Sequence, residues 1–244
     1  MTDDDAILAY RNQIVERLDR FYSTQDAVMK AAADVIFEAY VKHKRFLVFG
    51  SGHSHMIAEE FYARAGGLAF VTPMLQNELM LTDHPLKSTL IERTQSMASV
   101  YADLYHFEAG DVLMIASNSG RNALTVELAQ LAKAAGLTVI AFTNLDQSTR
   151  VLSRHPSGKQ LTDVADVLID NCGAVGDAGF DLGEGMMMGS TSTIIGAAMV
   201  QTLSILIALR FKSNGLEVPV FRSSNLDHAD AANLDLMKRF TRQY

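Results

Sequence analysis

Arg45-Phe46-Leu47-Val48-Phe49-Gly50-Ser51-Gly52-His53-Ser54 is the stretch on which the fold turns. Arg45 to Phe49 is a short apolar run of the kind that forms a parallel strand buried on both faces. The glycines and serines after it hand the chain to a helical pattern. The same order returns at Asp111 to Ala116 (DVLMIA), followed by Ser117-Asn118-Ser119-Gly120-Arg121-Asn122 and another Ala- and Leu-rich helical segment. In an open α/β sheet such loops lie at the carboxyl edge of the strands. Glycine there lets the backbone approach a ligand closely, and the free N–H groups of the following helix favour an anion. Serine hydroxyls add neutral donors.

Two nucleotide readings fail on these residues. A dinucleotide fingerprint needs G-x-G-x-x-G, but the third glycine position after Gly50 and Gly52 is His55, and no acidic residue ends the expected second strand, Leu68 to Thr72. No G-x-x-x-x-G-K-[ST] loop is present either. A G-x-G-x-S turn alone is a common strand-to-helix connection; paired with S-x-S-G it is more specific.

The two loops together resemble those of the SIS (sugar isomerase) domain, found in the isomerase half of glucosamine-6-phosphate synthase, in sedoheptulose-7-phosphate isomerase and in N-acetylmuramic acid 6-phosphate etherase. Further segments extend the likeness along the chain: Leu86 to Arg93, His155-Pro156-Ser157-Gly158-Lys159, Gly189-Ser190-Thr191-Ser192-Thr193 and Pro219 to Asn225. They are similar to single-domain SIS proteins labelled only as phosphosugar isomerases. The resemblance implies that Ser54, Ser117 and Ser119 hold the phosphate of a phosphorylated sugar. Ser51, Gly52 and Asn118 would stand beside them, and Asn122 would occupy the place where the family commonly has Thr or Ser. It also implies sites completed across subunits, hence a homodimer or homotetramer.

Composition fits a soluble protein with a sizeable core. The chain has 244 residues, 48% of them hydrophobic, and a net charge of −7. No basic run offers a nucleic-acid surface. The acidic start, Met1-Thr2-Asp3-Asp4-Asp5, is unlike a secretory signal, and the most apolar helix, expected over roughly Ile194 to Leu209, falls short of a membrane span. Cys172 is the only cysteine, which fits a reducing cytoplasm; with no activating histidine beside it, it reads as a small core or loop thiol.

Apolar spacing predicts two amphipathic helices before the first strand, one carrying Ile7 to Phe21 and one carrying Val28 to Tyr40, with Ser23 or Thr24 capping the second. Strands are expected at 45–50, 68–72, 111–116, 137–142 and 164–169. Helices are expected near 54–65, 88–106, 121–135, 192–212 and 227–242. The pattern predicts an α/β fold: a single SIS domain with a five-stranded, mainly parallel sheet flanked by helices. Its organisation is an N-terminal helical extension (1–44), the phosphosugar-binding domain (45–215), and a C-terminal tail and helix (216–244) packing on the domain or a neighbouring subunit. The Gly-rich stretch from Asn171 to Gly189, with Met186 to Met188, reads as a long loop.

Aldose–ketose isomerisation needs a carboxylate to shuttle a proton between adjacent carbons and an acid to open the ring. Glu78 is the favoured base, just beyond the second strand, where glucosamine-6-phosphate synthase has a similar acidic segment. Asp83 and Glu184 follow; each of the three is equally readable as a solvated loop carboxylate. His53 in the first loop and His228 beside Asp227 are the candidate acids. A sugar-phosphate etherase or lyase is the chemical alternative, suggested by Gly189-Ser190-Thr191. A non-catalytic sugar-phosphate sensor is the other. No cofactor is expected: a divalent metal is the lesser reading, because no H-x-x-x-H or H-E-x-x-H spacing occurs.

Overall fold

The computed structural model describes residues 1–82 and 84–240. The chain opens with one helix of 39 residues, α1 (Asp3–Val41). Thr2 caps it, accepting from the Asp5 N–H at 3.2 Å while the Asp5 carboxylate accepts from the Thr2 N–H at 3.0 Å. The acidic start of the sequence is thus the first turn of a helix, where negative charge complements the dipole. Two helices were expected here, and the structure corrects that. Phe21 and Val28 are seven residues apart, two full turns, so the apolar stripe crosses Ser23 and Thr24 without changing face. Both hydroxyls donate back to the Arg20 carbonyl, at 3.0 and 2.8 Å, and cap nothing.

Strands β1 (Phe46–Gly50), β2 (Val71–Met74), β3 (Val112–Ala116), β4 (Thr138–Thr143) and β5 (Val167–Asp170) form a five-stranded sheet in the order β2-β1-β3-β4-β5. Every pairing is parallel. Around it lie α2 (Met56–Phe61), α3 (Pro85–Glu92), α4 (Met97–Leu104), α5 (Ala123–Ala134), α6 (Leu145–Arg150), α7 (Ser192–Ser213) and α8 (Ala229–Phe240). Residues alternate across the sheet. Phe46, Val48, Met114 and Ile140 pack with α1, α2 and α7; Leu47, Phe49, Ile115 and Val139 pack with α4 and α5. α1 is therefore a core helix for half its length, burying Phe21, Met29, Ala33 and Ile36.

Other departures from the expected pattern have local causes. The second strand lies three residues later than expected, because Leu68 instead bridges Val220 antiparallel in the tail. Pro73 is tolerated there because β2 is an edge strand. The helix expected over 88–106 is two helices, broken where the Thr94 hydroxyl donates to the Ile91 carbonyl at 2.8 Å. The stretch expected as a loop contains a hairpin, β6 (Ala178–Asp181) with β7 (Met187–Ser190). It rests on α1: Tyr10 donates to the Ser190 carbonyl at 3.0 Å and Gln13 to the Gly179 carbonyl at 2.6 Å. α7, 22 residues long, lies where a helix was expected over 192–212, and by length and composition alone it could cross a membrane, which the apolar stretch Ile194 to Leu209 was expected to fall short of. It packs instead against α1 and α2, burying Ile195, Met199, Leu203 and Phe211.

At the amino edge of the sheet Arg45 clasps Asp111. The Arg45 N–H donates to Asp111 Oδ1 at 2.9 Å and Nε to Oδ2 at 3.0 Å, while Nη1 reaches the Tyr105 carbonyl at 2.6 Å. Asp111 is fully buried. Long-range contacts flank both sides of the sheet. The tail pairs with the segment before β2 (Ala69 N–H to Pro219 O, 2.8 Å; Phe221 N–H to Gly67 O, 2.9 Å), and Gln25 of α1 accepts from the Asp170 N–H of β5 at 3.0 Å. Asp111→Ala leaves the largely buried Arg45 guanidinium without its carboxylate. Urea unfolding is expected to show a loss of about 3–5 kcal/mol, against under about 1 kcal/mol for removal of the exposed Asp26 that pairs with Lys30.

Candidate functional site

Gly50 and Ala116, the last residues of β1 and β3, are register partners. The strand order reverses between these two strands, so the loops that follow them flank the crevice where open α/β sheets bind ligands. Gly50 is dictated by space. A Cβ there would lie 2.2 Å from the Ser54 carbonyl oxygen, because the turn of 52–55 folds directly back over the strand end.

The cleft is lined by His53, Ser54 and Ile57 from the first loop and α2, and by Ala116, Ser117 and Asn118 from the second loop. Phe142, Asn171, Ser192 and Thr193 complete it. Ser117 is buried; its N–H donates to the Phe142 carbonyl at 3.0 Å and its Oγ accepts from the Gly120 N–H at 3.3 Å. A chain of side-chain amides fixes the second loop: Asn144 Nδ2 donates to Asn171 Oδ1 at 3.0 Å, Asn171 Nδ2 to Asn118 Oδ1 at 2.6 Å, and Asn118 Nδ2 to Gln147 Oε1 at 3.0 Å. These links tie together the carboxyl ends of β3, β4 and β5. On the far wall, α7 presents its N-terminus with Ser192 and Thr193. Asp177 holds that end, accepting from the Thr191 and Ser192 N–H groups at 3.0 and 2.7 Å and from Ser192 Oγ at 2.9 Å.

Among the expected phosphate-binding residues, Ser54, Ser117 and Asn118 line this cleft. Ser51 is directed elsewhere, its Oγ donating to Glu92 Oε1 at 2.8 Å. Gly52 opens the turn with a φ of 54°. Ser119 stands half-buried at the crest of the second loop, where its carbonyl accepts from Ser148 Oγ at 3.4 Å. Asn122 is buried, with Oδ1 accepting from Arg154 Nη1 at 2.7 Å.

The candidate acids and bases are more scattered. His53 is exposed at the cleft. Glu78 is half-buried and accepts from the Tyr101 hydroxyl at 2.9 Å, outside the cleft's lining. Glu184 is exposed between β6 and β7, and His228 is exposed just before α8. Asp83 lies outside the described residues. Gly189-Ser190-Thr191 serves the backbone: Thr191 Oγ1 accepts from the Ala174 N–H at 3.0 Å and donates to the Asp177 carbonyl at 3.2 Å. Burial pushes the Cys172 thiol up and Asp170 adds to it, the opposite of what a nucleophile needs. Among the described residues no three His, Cys, Asp or Glu side chains gather to hold a metal ion.

Asn171, Ser192 and Thr193 are site residues that the sequence reading did not single out. Ser192 and Thr193 lie in a quoted segment, Gly189 to Thr193, but only its likeness to a family marked it. Asn171 carries no local signal; its place follows from the end of β5. His155 is a further case: it is buried and bonds Glu127 at 2.6 Å and Gln95 at 2.8 Å, so the His155 to Lys159 segment is anchored by a core histidine.

An open parallel sheet whose two serine loops meet at its strand-order reversal defines an open α/β protein with a crevice at the carboxyl ends of its strands. A model of the SIS domain matches residues 9–144, and the chain belongs to the SIS-domain family. It is 44% identical over 226 residues to the UPF0309 protein BH3325 of Halalkalibacterium halodurans, covering 92% of this chain and 93% of that one. It is 38% identical over 238 residues to the UPF0309 protein TTE0306 of Caldanaerobacter subterraneus, covering 96% and 97%. Among solved structures, a phosphoheptose isomerase from Francisella tularensis superposes with a TM-score of 0.58 at 16% identity, over 85% of this chain and 98% of that one. The Vibrio vulnificus NanR protein complexed with ManNAc-6P gives 0.54 at 12%, over 98% and 72%. These two likenesses establish the shared fold.

The Glu78–Tyr101 pair makes a pH-dependent prediction. Burial raises the Tyr101 pKa well above its usual value near 10, and the hydrogen bond to Glu78 and its charge add to the rise. The protonated phenol is therefore favoured by the fold. Its contribution is complete below about pH 10 and is lost as pH rises through the folded-state value. Tyr101→Phe is expected to cost about 1–3 kcal/mol in urea unfolding at neutral pH and to flatten the fall in stability above about pH 10.

Proposed function

We propose that this protein is a sugar-phosphate isomerase of the aldose–ketose type, binding the phosphate between its two serine loops. The observation that carries the reading is the convergence of Ser54 and Ser117 with Ser192 and Thr193 at the β1/β3 crevice. Neutral hydroxyls and a helix N-terminus suit a dianionic phosphate without the bulk of a long cation. Ser119 and the Asn122 amide group, whose oxygen alone is engaged by Arg154, are the further donors.

Glu78 is the proposed base. Tyr101 donates to Oε1, which leaves Oε2 to take the proton from C2 of the ring-opened aldose and return it to C1. A phenol held protonated fixes the carboxylate without competing for that proton. The segment after Glu78 borders the first loop, for Leu81 passes 3.9 Å from where a Cβ on Gly52 would lie. His53 is the proposed acid for ring opening. Assembly into a homodimer or homotetramer belongs to the same reading. Ile7 and Leu8 on α1 and Ile205 and Leu209 on α7 are all more than half exposed. Light scattering at micromolar protein is expected to return a multiple of the chain mass.

One observation favours a second reading, a sugar-phosphate sensor: among the described residues His53 is the one titratable side chain lining the cleft. NanR, a fold neighbour, is complexed with a phosphorylated sugar. Turnover separates the two. Phosphorylated C5 to C7 sugars are expected to raise the melting temperature, and their unphosphorylated counterparts are not. At a hundred times the dissociation constant, binding adds about 2.7 kcal/mol to stability. Ser119→Ala should weaken every sugar phosphate alike, by about fivefold or more. Glu78→Gln should preserve binding and abolish isomerisation. Equal shifts with plain and phosphorylated sugars overturn the phosphate reading. Binding without turnover of any of them leaves the sensor.

A further inference from the structure

Three arginines gather beside the serine loops from separate stretches of chain. Arg93 follows α3, Arg121 lies in the second loop just before α5, and Arg154 lies between α6 and β5. Arg154 is anchored twice, its N–H donating to the Arg121 carbonyl at 2.8 Å and Nη1 to Asn122 Oδ1 at 2.7 Å. The first loop reaches the same place, through the 2.8 Å bond from Ser51 to Glu92, the neighbour of Arg93. Desolvation and then the like charges of Arg121 and Arg93 lower the Arg154 pKa, with Glu92 opposing them.

This cluster is charged and underused. Among the described residues none of the three guanidiniums forms an ion pair with a carboxylate. Arg121 Nε is buried with no hydrogen-bond partner. A buried charged donor without an acceptor is costly, and it marks a place for one. Glu92 alone cannot balance three cations, and Glu127 nearby is engaged by His155 at 2.6 Å. In a chain of net charge −7, unpaired arginines on one rim call for an anion from outside.

The cluster is distinct from the phosphate cleft, since none of the three arginines lines it. It is also near: Arg121 is two residues past Ser119, so their Cα atoms are at most about 7 Å apart. We infer that Arg93, Arg121 and Arg154 form a second anion site, and that the ligand carries, besides its phosphate, another anionic group about a sugar's length away. A carboxylate or a second phosphate has the planar or tetrahedral oxygens that guanidinium forks take in pairs. This inference rests on the phosphate-cleft reading.

The test is calorimetric titration of the full chain at fixed salt with fructose 6-phosphate, fructose 1,6-bisphosphate, 6-phosphogluconate and unphosphorylated gluconate. At least one of the two doubly anionic ligands is expected to bind about tenfold or more tightly than fructose 6-phosphate, and which one does separates phosphate from carboxylate. Arg121→Gln should erase that advantage and leave the fructose 6-phosphate affinity unchanged. Arg93→Gln, at an exposed position, repeats the test should that variant lose its cooperative melt. Doubly anionic ligands that bind no tighter than fructose 6-phosphate overturn the second site, as does an equal loss for all phosphates in the arginine variants. Failure of the cleft reading looks different: gluconate then binds as well as fructose 6-phosphate, or Ser119→Ala leaves both unchanged.

Discussion

Everything at the candidate site depends on the parallel pairing of β1 with β3. Gly50 and Ala116 end their strands side by side, so the two serine loops open into one crevice. A slip of one residue would turn Phe49 and Ile115 toward the wrong helical layer and separate the loops. The register is fixed at the opposite edge, where the Arg45 backbone and side chain both grip Asp111. Geometry at the ligand edge is thus set by a polar contact a full strand length away. Between them the strands carry only apolar side chains, which fill both layers but cannot by themselves choose a register.

From that crevice outward, each wall is held by a different kind of bond. The second loop hangs on the amide chain from Asn144 through Asn171 and Asn118 to Gln147. The α7 wall hangs on Asp177, which is carried by the β6–β7 hairpin, and the hairpin in turn leans on Tyr10 and Gln13 of α1. The first helix of the chain therefore reaches the site through two intermediaries. Its N-terminal turns, far from the sheet, are connected to the position of Ser192 and Thr193.

The sheet's centre was legible in the sequence because buried parallel strands are short continuous apolar runs, as in Phe46 to Phe49 and Val112 to Ile115, and little else reads that way. Both serine loops were legible for the same reason, being punctuation after such runs. The edges were not. Pro73 lies inside β2, and the half-exposed β6 and β7 have neither an apolar run nor a steady alternation. The break expected in α1 came from reading Ser23 and Thr24 as caps when their hydroxyls could be satisfied inside the helix. At the site, the pairing of Glu78 with Tyr101 and the gathering of Arg93, Arg121 and Arg154 join residues 23 or more positions apart for their most separated members. No local pattern encodes such meetings; they follow only once the strands have been ordered.

The long-range contacts on the two flanks of the sheet have a consequence for how the chain reaches this state. Gln25 meets Asp170 across 145 residues, and the tail closes over the segment before β2 only after Val218 to Phe221 have been made. During synthesis the emerging sheet therefore waits with open backbone donors and acceptors on each flank, and α1 waits with its apolar stripe uncovered. Long-range closure of this kind slows folding and prolongs the exposure of sticky intermediates. A ribosome-bound chain lacking its last residues is, on this account, the form most in need of chaperones, and truncation of the tail would harm yield before it harmed the site.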